Sequence, residues 1–329
     1  MIRTIIGVRE ELLTKKLLFL VGFTRAGKFL LGKVCGGLQG VDHFQYISAV
    51  ESLPLLVRLG LIDRKSAVAL MRALVDEHAY YMRIGRNLNT RASDRSSILH
   101  LFDKQKYLDR AAGPDGLPAA LGLARGDMYS VFICHEMMPN IDVALEGFPD
   151  AKFMDIKRHP VDLVYSWWKR NMGNRETNDP LSFAPYFRCD GLDTPWYAAS
   201  WGPEYVKISP IDRIIRSIDY LEELSRTTFR LLSQMQQEQF LVLTHEGLLE
   251  DSWSAVERME KFLGVERREF MPVLLAREGA FKPQDHAKRQ VRMEAIAREA
   301  SPENVRRLEE MTRCYQENFN DPRRMYYDD

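Results

Sequence analysis

The sequence predicts an α/β fold in which a parallel β-sheet is flanked by helices, and three observations carry that prediction. Apolar-rich runs of strand length recur at residues 17–21, 128–134, 152–157 and 240–243. Helix-period segments separate these runs, the alternation that builds parallel sheets. The first run ends on a glycine turn leading directly into a helical pattern, as in nucleotide-binding α/β units. The 329 residues are read as one domain, 1–329, with residues 45–125 as a helical and loop insertion shaping a substrate site.

Leu17-Leu-Phe-Leu-Val21 is continuously apolar, as a strand covered on both faces requires, and stops at Gly22. Residues 28–35 follow as a helix. From Val50 to about Gly85 the pattern is helical, with Asp63 as an N-cap and Val68, Met71, Leu74, Val75, His78 and Met82 tracing one face. His78 on that stripe is read as a core histidine. Residues 86–118 are polar and rich in Arg, Asp, Ser and Gly, which predicts loops with a short helix. Met128–Cys134 and Lys152–Lys157 read as strands joined by a crossover helix over Pro139–Phe148. Phe240–Leu243 is a further strand, followed by a helix from Ser252 to about Phe262 that buries Val256, Met259 and Leu263 and stops at Gly264. Ser209-Pro210 and Ser301-Pro302 each pair an N-cap with a first-turn proline, so each opens a helix.

Lys+Arg and Asp+Glu balance at 46 each, so the net charge is zero. Nothing in that balance calls for nucleic acid or an anionic membrane as partner, and any anion site must be local. Cys35, Cys134, Cys189 and Cys314 lie far apart without metal-ligand spacing, so no metal is expected. Cys35 and Cys134 sit in apolar stretches and read as buried free thiols, which suits a reducing compartment. No apolar run approaches the ~20 residues that span a bilayer. Leu17–Val21 is too short for a secretory core, so the expected location is cytoplasmic.

Gly22-Phe-Thr-Arg-Ala-Gly27-Lys28 fits G-x-x-x-x-G-K between strand and helix. Glycines let the backbone curl so that several N–H groups face one anion, and the helix N-terminus and Lys28 add positive charge. A nucleotide kinase needs Ser or Thr next, to hold Mg²⁺; here the residue is Phe29, which has no oxygen to offer. The loop therefore suits a phosphate-like group whose transfer needs no metal. A second basic segment, Lys157-Arg158-His-Pro-Val-Asp-Leu-Val-Tyr-Ser166-Trp-Trp168, ends a strand and starts a helix at Pro160. Arg158 is a forked donor and Ser166, two helical turns on, a hydroxyl donor, so the two can converge on one anion.

Thr24-Arg-Ala-Gly-Lys-Phe-Leu30 resembles the 5′-phosphosulfate loop of PAPS-dependent sulfotransferases, usually Pro-Lys/Arg-Ser-Gly-Thr-Thr/Ser-Trp/Leu. PAPS is 3′-phosphoadenosine 5′-phosphosulfate. Arg25 and Gly27 match; Thr24, Ala26, Lys28 and Phe29 depart. The second segment resembles that family's 3′-phosphate motif, Arg-x-Pro-x-Asp-x-x-x-Ser, with Arg158, Pro160, Asp162 and Ser166 at matching offsets. Phe240 to Asp251 and Lys261-Phe-Leu-Gly264 are similar to a later family segment, Gly247 replacing its usual Asp. The resemblance spans about residues 17–40 and 128–264.

It implies a P-loop NTPase-like sulfotransferase core that binds PAPS through Thr24, Arg25, Ala26, Gly27, Lys28, Phe29, Arg158 and Ser166 and releases 3′,5′-ADP. A third contact to the 3′-phosphate from Lys282 or Lys288-Arg289 is also implied. His135, at the end of the 128–134 strand, matches the family's catalytic histidine, and imidazole is the side chain suited to taking a proton at neutral pH. Glu136, Asp42, His43 and Glu51 are rivals for that role. Arg25 and Lys28 are the expected stabilisers of charge on the leaving oxygen. Trp201, Tyr205 and the Trp167-Trp168 pair are candidates for stacking on a ring. The expected acceptor is a small molecule or a glycan with a hydroxyl or amine as its nucleophile; the sequence leaves glycan, lipid, phenol, amine and protein tyrosine all open. A P-loop kinase and a catalytically inactive nucleotide-binding protein are the alternatives.

Overall fold

The computed structural model describes residues 7, 9–174, 186–189 and 191–327; the side chains of Cys189 and Leu192 lie outside the description. Its strands are β1 (Leu17–Val21), β2 (Val41–Tyr46), β3 (Tyr129–Ile133), β4 (Lys152–Lys157), β5 (Tyr186–Cys189), β6 (Leu192–Pro195) and β7 (Phe240–Thr244). Five form one sheet in the order β2-β3-β1-β4-β7, every pairing parallel, while β5 and β6 make a separate antiparallel ribbon. The chain leaves β1 for β2 and β3 on one side, then reaches β4 and β7 on the other. The carboxyl ends of β1, β3 and β4 therefore border a crevice at a reversal of strand order, where open α/β sheets bind their ligands.

Alternation along β1 explains why both faces are covered. Leu17, Phe19 and Val21 join Phe132, Phe148, Phe153, Met71 and Val75 in one core layer. Leu18 and Leu20 point the other way, to Leu31, Val34, Met154, Ile156, Val256 and Met259. Each such side chain contributes roughly 1.5–3 kcal/mol by leaving water, which fixes β1 as the rigid centre of the sheet. A third cluster joins the helix Pro160–Trp168 to the long helix Pro210–Arg230 through Val161, Val164, Trp167, Ile214 and Ile218.

The helix signals operate as read. A helix spans Lys28–Cys35, and Asp63, Ser209 and Ser301 each accept a backbone N–H at a helix start. Gly264 ends the helix Ser252–Leu263 in the left-handed conformation at φ 70°. The crossover between β3 and β4 is a short helix, Ile141–Gly147. Cys35 and Cys134 are buried free thiols. His78 is half-buried, its pKa lowered by that burial.

Three features differ from the sequence reading. Residues 50–85 are two helices, Ser48–Arg58 and Arg64–Arg83, because Gly60 turns left-handed at φ 68° and Asp63 restarts the helix. Residues 86–118 contain more helix than expected, in Lys104–Ala112 and the start of Gly116–Ala124. The edge strand β2 was hidden: its register shifts between Val41 and Phe44, which breaks the apolar alternation, and its Asp42, His43 and Gln45 are all buried. Among the described residues no helix is long and apolar enough to cross a membrane.

Candidate functional site

The loop leaving β1 is built on unusual backbone angles: φ is 133° at Gly22, 71° at Arg25 and 120° at Gly27. A Cβ at Gly27 would also lie 2.5 Å from Cδ2 of His245. Gly27→Ala should therefore destabilise the protein by about 2 kcal/mol, read as a lowered urea midpoint with unchanged slope.

Neighbouring elements hold this loop from behind. The Thr24 N–H donates to the Glu136 carboxylate, and the Trp167 indole donates to the Thr24 carbonyl at 2.7 Å. Arg158 donates from Nη1 to the Arg25 carbonyl at 2.6 Å. Arg25 itself donates from Nε to Ser166 Oγ at 3.3 Å. The two anion segments singled out in the sequence therefore touch. Ala26 turns its side chain into the core, while Phe29 stands at the mouth edge-on to Phe44.

Lys28 is buried and donates to the carbonyls of Gly22 and Phe23, both at 2.6 Å. Burial pulls its pKa down to about 8, although Glu136, Glu51 and Asp155 act the other way. Burial also lowers the pKa of Arg25, and the positive charges of Arg170 and Arg158 lower it further. Among the described residues none of these three guanidiniums has a carboxylate within ion-pair distance, and Arg158 Nε is buried without a partner. Among the described residues Glu246 and Asp162 act on Arg158 only from beyond ion-pair distance, and like charges crowded in this way suit the binding of an anion.

The surrounding cleft has a volume of about 670 Å³. It is lined by the expected Thr24, Arg25, Gly27, Lys28, Phe29, His135 and Arg158, together with Lys33, Arg95, Arg170, Met172 and His245. Asp94 and Glu278 are its only lining carboxylates among the described residues, and Glu278 already pairs with Lys33 at 2.9 Å and Arg95 at 3.4 Å. A chain of zero net charge thus concentrates positive charge at one place. Among the described residues no group of three or more His, Cys, Asp or Glu is placed to hold a metal.

His135 projects from the end of β3. Its backbone N–H donates to Glu51, and its Nδ1 lies 3.3 Å from the same carboxylate oxygen. Tyr46 donates its hydroxyl to the other Glu51 oxygen at 2.7 Å. The remaining rivals for the proton are engaged. Glu136 accepts from Thr24; Asp42 is clamped by Arg110 at 2.8 Å; and the His43 ring meets the Ser96 carbonyl at 2.8 Å. Neither Asp42 nor His43 lines the cleft. Of the aromatic candidates, Trp167 is buried with its N–H spent, Trp168 stands edge-on to Tyr165, and Trp201 packs on Tyr205 at 5.3 Å.

Asp162, in the first turn of its helix, receives Arg289 at 3.1 Å and also Arg292, which ties the helix His286–Ala297 to the Arg158 segment. Lys282 and Lys288 are exposed. Glu246 is buried and accepts from Tyr315; burial alone would raise its pKa, but the neighbouring His245 and the Tyr315 hydroxyl bring it to about 2. At Gly247 a Cβ would come within 2.6 Å of the Thr244 hydroxyl that caps the helix His245–Glu250, so glycine is what this cap requires. Sequence reasoning missed His245 and Arg170 as cleft residues. The first follows a strand at the same sheet edge, and the second lies one turn beyond Ser166; either position was a usable signal.

No protein-family model matches the chain, and no curated protein matches it. Several solved structures are similar in fold. A sulfotransferase domain from the curacin biosynthetic pathway shares 12% identity at a TM-score of 0.43, over 78% of this chain and 76% of that one. A sulfotransferase from Alicyclobacillus acidocaldarius shares 14% at 0.39, over 91% and 96%. The sulfotransferase domain of the Synechococcus PCC 7002 olefin synthase shares 13% at 0.42, over 92% and 96%.

Proposed function

We propose that this chain transfers a sulfuryl group from PAPS to a hydroxyl or amine of a small-molecule or glycan acceptor and releases 3′,5′-ADP. The observation that carries the reading is the 3.3 Å contact from Arg25 to Ser166, with Arg158 bridging to the Arg25 carbonyl. Two segments 141 residues apart in sequence, each read as an anion site, thereby meet beside one cleft, which Arg25 and Arg158 line and Ser166 does not. A nucleoside carrying a 3′-phosphate and a 5′-phosphosulfate needs both segments, whereas ATP has no use for the second.

In this reading Arg158 and Ser166 hold the 3′-phosphate by fork and hydroxyl. The loop receives the 5′ end on the backbone N–H groups that remain once Thr24 has donated to Glu136 and Ala26 to the Phe23 carbonyl, with Arg25 and the third N–H of Lys28 nearest the leaving oxygen. His135 takes the acceptor's proton as the new bond to sulfur forms. Residues 45–125 shape the acceptor side, Arg95 and Ser96 bringing that span to the cleft wall.

Calorimetry with 3′,5′-ADP and Mg-ATP, together with turnover of PAPS, tests the assignment. The expected result is 3′,5′-ADP binding at least about tenfold tighter than Mg-ATP, and 3′,5′-ADP release that depends on an acceptor. Tighter binding of Mg-ATP would overturn it in favour of a kinase. The pH dependence adds a signature. An ammonium is charged below its pKa, and burial brings that of Lys28 down to about 8. Affinity for 3′,5′-ADP should therefore decline as pH rises from about 7 to about 9, and Lys28→Met should flatten the curve.

A further inference from the structure

We infer that Glu51 is a positioning residue that fixes the tautomer and ring plane of His135, and that Tyr46 fixes Glu51 in turn. The inference rests on the reading of His135 as proton acceptor. Three elements meet at this point: the end of β3, the helix Ser48–Arg58 and the edge strand β2. One Glu51 oxygen takes the His135 backbone N–H and faces Nδ1 at 3.3 Å, while the other takes the Tyr46 hydroxyl at 2.7 Å. The Tyr46 ring stands edge-on to the imidazole, with centroids 5.1 Å apart and planes at 87°. The side chains of Glu51 and His135 are only 16% and 19% exposed, so the pair is shielded from competing water.

The chemistry follows from donor and acceptor counting. A carboxylate only accepts, so the Nδ1 that faces Glu51 carries the ring hydrogen, and Nε2 is left with the lone pair a base needs. The neighbouring charges are committed elsewhere. Glu136 receives the Thr24 N–H, and Lys28 donates to Gly22 and Phe23. Glu51 is thus the carboxylate facing the ring. In the reaction the acceptor oxygen bonds to sulfur while the bond from sulfur to the bridging phosphate oxygen breaks. That electron pair leaves with 3′,5′-ADP, and the acceptor's proton moves to Nε2. The resulting imidazolium lies against the Glu51 carboxylate, an arrangement that recurs wherever histidine works as a base beside a buried acid.

The test uses the full chain with Glu51→Gln, which retains an oxygen for the His135 backbone N–H but offers an amide that also donates. The expected result is a kcat lowered about tenfold to a hundredfold with KM for PAPS held within about twofold. Nitrogen-15 spectra of the imidazole, recorded without substrate, should show the Nδ1–H form in the wild type and lose it in the variant. Tyr46→Phe, which leaves the carboxylate in place, should shift kcat in the same direction by about twofold to fivefold and carries the test should Glu51→Gln fold poorly. Turnover present but with kcat and tautomer unmoved in the variants would overturn the pairing and leave the reaction standing. The expected tautomer in a wild-type chain that never turns over PAPS would overturn the reaction and leave the pairing standing.

Discussion

Replacing Arg158 by alanine should weaken 3′,5′-ADP binding about thirty- to three-hundredfold, measured by calorimetry at fixed salt. Two losses add up to that figure. The forked, charged donor proposed for the 3′-phosphate disappears, which alone costs about 1.5–3 kcal/mol. The Arg25 carbonyl also loses the guanidinium that holds it at 2.6 Å, so the loop is no longer presented in a fixed shape. Arg158→Lys distinguishes the two, since it restores charge without the fork and should recover only part of the affinity. Binding that survives Arg158→Ala unchanged would remove the second anion site, and the sulfotransferase reading with it.

The other large effect is expected at His135. His135→Gln should lower turnover by about 10²- to 10⁴-fold while 3′,5′-ADP binds as before. The separation follows from position: His135 stands at the end of β3, while in the proposed reading the nucleotide lies against the loop after β1 and the segment after β4. A variant with normal turnover would transfer the base role away from His135. Of the three acids and the second histidine considered beside it, Asp42, Glu51, Glu136 and His43, none lines the cleft as His135 does.

Much of this arrangement was legible in the chain because it depends on local rules. β1, β4 and β7 are short runs whose apolar content reflects burial, and capping residues such as Asp63, Ser209 and Ser301 mark helix starts by their own hydrogen bonds. The Arg158 to Ser166 offset is fixed by a helix that opens at Pro160, so it could be read without coordinates. What escaped depends on contacts distant in sequence. β2 buries Asp42 because Arg110, 68 residues away, neutralises it, and no pattern within the strand announces that partner. Likewise Glu51 was visible as an acid near the loop, but its pairing with His135, 84 residues away, exists only once β2 and β3 lie side by side. The commitment of Lys28 to two loop carbonyls was equally hidden, since nothing in G-x-x-x-x-G-K states whether the lysine points out or curls back.

The buttressing of the loop by Trp167 and Arg158 bears on how so few hydroxyls can suffice. Ala26, Lys28 and Phe29 provide none of the hydroxyl donors that flexible phosphate cradles recruit one by one. Here the main chain is anchored through its carbonyls before any guest arrives, so little conformational freedom remains to be surrendered on capture. In the proposed reading, preorganised peptide N–H groups would thus substitute for extra side-chain contacts, and stiffness itself would become the source of affinity.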